Sequence, residues 1–277
     1  MKPSVKLALG VLLAFLLAAV YGEVQYRVAQ FRDETPAYNR VDTSQRYLPP
    51  SAEHWLGTDN LGRPVSLRLV QGARIAFVVG VLTSCIAIPL GVLLGLVGGY
   101  FGGKTDSIVL WLCATVASMP GLLFILAISL VFGQGMLGIV MGVGFTTWVG
   151  VCRTVRAEVI KHKSRAYVQA ARILGYSHLR IMFRHILPNV AHIVLIQLSI
   201  RFPSAVSTEV FISFLGIGIQ GEPSWGVMIN NARLRLWQGI WWEMAFTTLC
   251  IFLLVLAFNH LADYLRDRLD PALRSLR

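Results

Sequence analysis

Charge is scarce in this chain, and negative charge is scarcer still. Only 14% of its 277 residues are Asp, Glu, Lys or Arg, with 14 acids against 25 bases. Soluble domains average about 25% charged residues. With 55% hydrophobic residues and a mean hydropathy of +0.63, an ordinary soluble domain is excluded and several membrane spans are expected. No GxxxxGK[ST] stretch occurs, so the chain has no phosphate-cradling loop for ATP. HExxH and GxSxG are missing too, which removes the common zinc-protease and serine-hydrolase arrangements. The four cysteines (Cys85, Cys113, Cys152, Cys250) show no CxxC spacing. They read as small packing residues without a disulfide, and neither they nor His54 with Asp59 offer enough ligands for a metal site. No internal repeat is evident, nor paired broken helices in the two halves, which argues against a secondary carrier built from repeats.

Six apolar segments have the roughly 20 residues needed to cross a bilayer as helices. They lie near 6–22, 74–100, 107–132, 136–155, 189–218 and 243–263. The first, preceded by Lys2 and Lys6, lacks a small-residue cleavage site and reads as a retained anchor. Residues 23–72 carry six bases and six acids, whereas 153–188 and the tail with Arg266, Arg268, Arg274 and Arg277 are basic. Placing the basic regions inside puts both termini and the 153–188 loop in the cytoplasm, with 23–72 and 219–242 outside. The organisation expected is an anchor at 1–22, an extracytoplasmic segment at 23–72, and a core of five further spans at 73–277. Proline at 89, at 120 (in Met119-Pro120-Gly121) and at 203 should interrupt or kink three of the spans. Because the bases sit between apolar stretches, the formal charge of +11 reads as membrane topology and lipid contact, and nucleic acid is not expected as a partner.

The 153–188 loop holds eight bases (Arg153, Arg156, Lys161, Lys163, Arg165, Arg172, Arg180, Arg184) and one acid, Glu158. Ser164 can cap a helix on which Tyr167, Ala170, Ala171 and Leu174 recur at i, i+3, i+4, i+7, with Arg165, Gln169 and Arg172 opposite. Gly175 suits a left-handed helix end. Ser177 can then cap a second short helix to Leu187, ahead of Pro188 and the next span. Small residues such as Ala170 and Ala171 allow a helix to seat closely in a partner's groove, with Tyr167 and Leu174 as anchors. The plainer alternative is an amphipathic helix lying on anionic lipid.

Gln169-Ala170-Ala171, Gly175 and His185-Ile186-Leu187-Pro188 hold the spacing of a known element. They resemble the EAA loop of ABC-importer permeases, which seats on the ATPase subunit. Three further stretches resemble the C-type permease of dipeptide, oligopeptide and nickel importers. These are His54-Trp55-Leu56-Gly57-Thr58-Asp59-Asn60-Leu61-Gly62-Arg63, then Phe214-Leu215-Gly216-Ile217-Gly218 with Pro223-Ser224-Trp225-Gly226, and lastly Asn259-His260-Leu261-Ala262-Asp263 with Leu269-Asp270-Pro271. Gln169 stands where glutamate is commonest, His185 where an aliphatic residue is, and Pro64 where an aspartate is usual.

The resemblance implies an all-α, multi-pass protein of the bacterial cytoplasmic (inner) membrane with six transmembrane helices, a type I ABC-importer permease. Its partners would be a B-type permease, two ATP-binding subunits and an extracytoplasmic substrate-binding protein. No cofactor would be bound by this chain, and no bond chemistry performed, because ATP and Mg2+ would sit on the partner ATPases. Coupling would fall to Arg165, Tyr167, Gln169, Ala170, Ala171, Leu174, Gly175, Leu187 and Pro188. Di- or oligopeptides are the implied substrates, with nickel or another small solute as the alternative. A proton-coupled carrier is the rival from another class, and a scaffold protein a third. Arg201 and Glu209, charges within the fifth apolar run, are candidates for the substrate pathway. A charge at mid-membrane costs about 2.5–3.5 kcal/mol, and eight residues of separation puts the two on nearly the same helix face.

Overall fold

A computed structural model describes residues 3–269 of the chain. Lys2, Asp270-Pro271, Arg274 and Arg277, which entered the sequence reading, lie outside the described residues. Within them the fold is all-helical apart from one isolated bridge between Thr58 and Pro64. The long helices are α1 (Pro3–Arg32), α2 (Val65–Phe101), α3 (Gly103–Ser118), α4 (Gly121–Phe132) and α5 (Met136–Lys163). They are followed by short α6 (Ala166–Ile173), α7 (His178–Phe214), short α8 (Trp225–Arg233) and α9 (Trp242–Leu269).

Five of these helices are long and apolar enough to cross a membrane, and a sixth span results if α3 and α4 count as one. The helices outrun the apolar segments. Thus α1 continues ten residues past the expected anchor, and α2 begins at Val65 rather than 74. A polar turn extends a helix readily once its apolar part is fixed, since adding a residue costs far less than nucleating.

The prolines act unequally. Between α3 and α4 the chain bends by 93°, because Met119, forced out of the α region by Pro120, is extended at φ −86°, ψ 139°. By contrast α2 and α7 run helically through Pro89 and Pro203, so these two positions do not interrupt their spans. Nor does Pro188 separate a loop helix from the next span. The turns at Ile181–Ile186 are widened to π geometry, and the Leu187 N–H donates to the Met182 carbonyl, five residues back. Such a widened turn leaves room for a proline ring that would otherwise strike the preceding carbonyl.

The chain forms two compact units. Among the described residues the first comprises 3–81, 133–139 and 202–261, the second 82–132, 140–201 and 262–269. In the first, α8 lays Trp225 against Gly72 of α2, where any Cβ would collide with the indole. The Trp225 Nε1 donates to the Leu69 carbonyl at 3.1 Å, and Phe15 of α1 meets the ring edge-on at 5.8 Å. A structured loop precedes α2. Its Asp59 accepts from the Leu61 and Arg63 N–H groups and from Arg63 Nε, so the Gly-Thr-Asp motif builds a turn. Gly57 there has φ +76° and lies against Trp242, whose Nε1 donates to the Thr58 carbonyl at 3.0 Å.

In the second unit Gly91, Gly95 and Gly99 form a ridge at four-residue spacing on α2. A Cβ at Gly95 would stand 2.6 Å from the Cys152 carbonyl oxygen, and one at Gly99 2.9 Å from that of Arg156. Small residues at this spacing let two membrane helices approach backbone to backbone. Asp106 of α3 ties the same stretch of α5 through Arg156, at 2.5 and 2.6 Å. All four cysteines are free.

Candidate functional site

Within the second unit, the 164–188 segment folds as two helices joined by a glycine turn. Ser164 does not cap α6. Its hydroxyl instead donates to the Lys161 carbonyl, and extended Arg165 is the capping residue, without a side-chain cap. The helix therefore starts one residue later than the cap-forming residue types suggested. At the other end Gly175 has φ +75°. Its N–H donates to the Arg172 carbonyl and that of Tyr176 to Ala171, the two-bond pattern that satisfies the last carbonyls of a helix. Ser177 does cap the next helix, accepting from the Arg180 N–H at 3.4 Å.

Burial divides the residues of α6 differently from the expected face. Val168 and Ala171 are buried, in one cluster with Leu96, Tyr100, Val155 and Ile181. Tyr167 is half-buried, and its hydroxyl meets His162 Nδ1 at 2.8 Å. Burial pushes this phenol above its ordinary value, so it stays neutral as a hydrogen-bond partner. Ala170 is exposed, as are Leu174 at 69% and Ile173 at 86%. The single face read from the spacing is thus split: Tyr167 and Ala171 serve the chain's own core, while Ala170 and Leu174 remain free. Spacing alone does not single out Val168 and Ile173. Their signal was present, since residues 166–174 are apolar all round except at Gln169 and Arg172, but it supports more than one stripe.

The remaining loop residues sit around this frame. Exposed Arg165 precedes α6, and exposed Gln169 donates to the Lys163 carbonyl at 3.2 Å. Arg172 lies over the Tyr100 ring, whose hydroxyl meets His178 Nδ1 at 2.9 Å. Leu187 packs on the same core, and Pro188 is exposed. His185 stacks on Tyr176 at 5.6 Å. A histidine–tyrosine contact thus ties α6 to α5 and another ties the start of α7 to α2.

The two charges of α7 part company. Glu209 is 1% exposed, accepts from the Ser213 hydroxyl at 2.7 Å and is also reached by Ser224. It holds the start of α8 to α7 within the first unit and opens on no free surface. Arg201 is only partly buried, and its guanidinium lies over Gly150 of α5. Eight residues at 3.6 per turn leave an offset of about 80° around the helix, enough to put one residue inside and the other at an edge.

A family model described as "binding-protein-dependent transport system inner membrane component" matches residues 87–275, well over half the chain. The chain belongs to this family. It is a membrane permease component of an ABC importer, placed in the bacterial inner membrane, and the ATPase is not its task. More particularly, it is similar to the dipeptide transport system permease protein of Bacillus subtilis (strain 168), with 40% identity over 236 residues, 85% of this chain and 74% of that one. Against the oligopeptide transport system permease protein of the same organism it is 35% identical over 245 residues, 86% and 80% of the two chains. The glutathione transport system permease protein of Pectobacterium atrosepticum is 34% identical over 276 residues, 99% and 89%. Among solved structures, an amino acid ABC transporter shares the fold with a TM-score of 0.56 at 17% identity, covering 73% of this chain and 94% of that one.

Proposed function

We propose that this permease imports di- or oligopeptides as one half of a heterodimeric channel, driven by two ATP-binding subunits that grip it at α6. The peptide class follows from the relatives, two of which belong to peptide transport systems and one to a glutathione system, glutathione itself being a peptide. For coupling, the single observation that carries the reading is the free edge of α6. Ala170, Ile173 and Leu174 are exposed on a helix whose other side is anchored in the core. A small residue between two larger ones suits a shallow groove, and the surrounding arginines favour a partner surface with acidic groups. In this reading the loop is cytoplasmic, the 23–72 and 219–242 segments face the substrate-binding protein, and ATP-driven closure moves α6. Because α6 is tied to α5 through Tyr167–His162 and the start of α7 to α2 through Tyr100–His178, that motion passes into the spans.

Two measurements test this. In a cysteine-free background, single cysteines at 30–70 and 220–240 should be labelled from outside and those at 160–185 only from inside. Outside labelling near Lys163 would overturn the orientation. Proteoliposomes holding both permeases, the ATPases and the binding protein should accumulate labelled dipeptide when ATP is enclosed with the ATPases. Accumulation of nickel but not peptide would overturn the substrate assignment and leave the coupling intact.

A further inference from the structure

Arg201 lies in the middle of the Leu187–Phe214 stretch of α7, with about 20 Å of helix on either side of it. At this depth a charge facing lipid costs several kcal/mol, so it is expected to face protein or a water-filled path. Yet it is not spent inside the chain. Its Nε has no hydrogen-bond partner although the atom is buried, and no charged group of the described residues lies against it. Leaving a buried donor unpaired is costly, and a fold with no use for the charge would avoid it.

The surroundings are built for the guanidinium. Gly150 of α5 lies directly beneath, and a Cβ at that position would collide with Nη2. One turn towards the loop on each helix, Gln197 Nε2 donates to the exposed Thr154 hydroxyl at 3.3 Å. Arg201, Gln197, Thr154 and Gly150 thus form a polar face of α5 and α7 in which the only full charge is positive. The Thr154 hydroxyl in turn donates to the Gly150 carbonyl, so that carbonyl has a donor while Arg201 Nε has no acceptor.

We propose that Arg201 recognises a substrate carboxylate during passage, with Gln197 and Thr154 as neutral hydrogen-bonding neighbours and Gly150 as the seat that positions the guanidinium. A planar guanidinium offers two parallel N–H donors to a carboxylate, a match an ammonium lacks. The face carries one cation and no anion, so the group it takes is the C-terminal carboxylate of the peptide rather than its amino end. This assignment rests on the peptide-import reading. Glu209, locked to two serines, takes no part.

The test is uptake of trialanine and of its C-terminal amide by the complete reconstituted complex, each at a concentration saturating the binding protein. Wild type should prefer the free acid. Arg201→Gln should lower the acid-to-amide uptake ratio at least tenfold, and Arg201→Lys should lower it less. Gly150→Ala, which keeps the arginine but displaces it, should lower the ratio as well, and it stands in if Arg201→Gln fails to assemble. The binding protein is unchanged throughout, so its own selectivity cancels in the comparison with wild type. An unchanged ratio in these variants would overturn the proposal, including the case where both uptakes fall together, as they would if Arg201 paired with a carboxylate of the partner permease. A wild-type complex with no acid preference would overturn it as well. ATP-dependent uptake of neither peptide by wild type would instead defeat the peptide reading, and this inference with it.

Discussion

Adjacent alanines on α6 should respond to the same substitution in different ways. At Ala171→Glu the new side chain enters a cluster in which Leu96, Val155, Val168 and Ile181 are fully buried. Overpacking a well-filled core costs about 1–3 kcal/mol. A carboxylate taken out of water without a partner adds several kcal/mol more, or protonates at a comparable cost. The sum, on the order of 4–6 kcal/mol, approaches the whole stability of many domains, about 5–15 kcal/mol. Ala170→Glu projects from an exposed position and should cost less than about 0.5 kcal/mol of stability. It should instead weaken seating on the ATPase by tenfold or more, the equivalent of about 1.4 kcal/mol. The assay has two arms. Thermal unfolding of the detergent-solubilised permease, followed by size-exclusion chromatography, reports on the fold; copurification with the ATP-binding subunit reports on seating. Ala171→Glu should lower the yield of monodisperse protein, and Ala170→Glu should keep it while losing the ATPase. Wild-type yield and melting for Ala171→Glu would refute the burial argument. Undiminished ATPase capture and transport by Ala170→Glu would refute the docking face.

Other outcomes follow from the same geometry. Gly175→Val forces a β-branched residue into φ +75° at a cost of about 1–2 kcal/mol, so substrate-stimulated ATP hydrolysis should fall while membrane expression persists; unchanged coupling would speak against the turn. Gly95→Val sets a side chain 2.6 Å from the Cys152 carbonyl and should prevent close packing of α2 on α5, read as loss of folded protein, while normal melting would show that the two helices can part cheaply. Glu209→Gln keeps an acceptor for Ser213 and should leave transport within about twofold of wild type, whereas Glu209→Leu should destabilise by about 1–3 kcal/mol. Loss of transport by well-folded Glu209→Gln would return this residue to the pathway.

Because about 20 apolar residues have few other stable fates, hydropathy alone was enough to place five long apolar helices, though not the 93° bend within the 107–132 segment. Local chemistry was legible as well. Gly175 ends α6 and Ser177 caps the next helix because φ > 0 and an N-terminal acceptor are demands made by a few neighbouring residues. Proline was legible as a perturbation but not in its effect. Pro120 breaks the chain by 93°, while Pro89, Pro188 and Pro203 are absorbed, according to what the flanking turns and packing allow. Tertiary structure decided which side of α6 is free. Nearly every position on that helix is apolar, so its own residues permit several stripes, and only the cluster around Leu96 and Ile181 selects Val168 and Ala171. The same holds for Arg201 and Glu209. Both are charges in one apolar run, and what separates them is what lies opposite: two serines enclose the acid, whereas a glycine seats the base and its Nε is left unpaired.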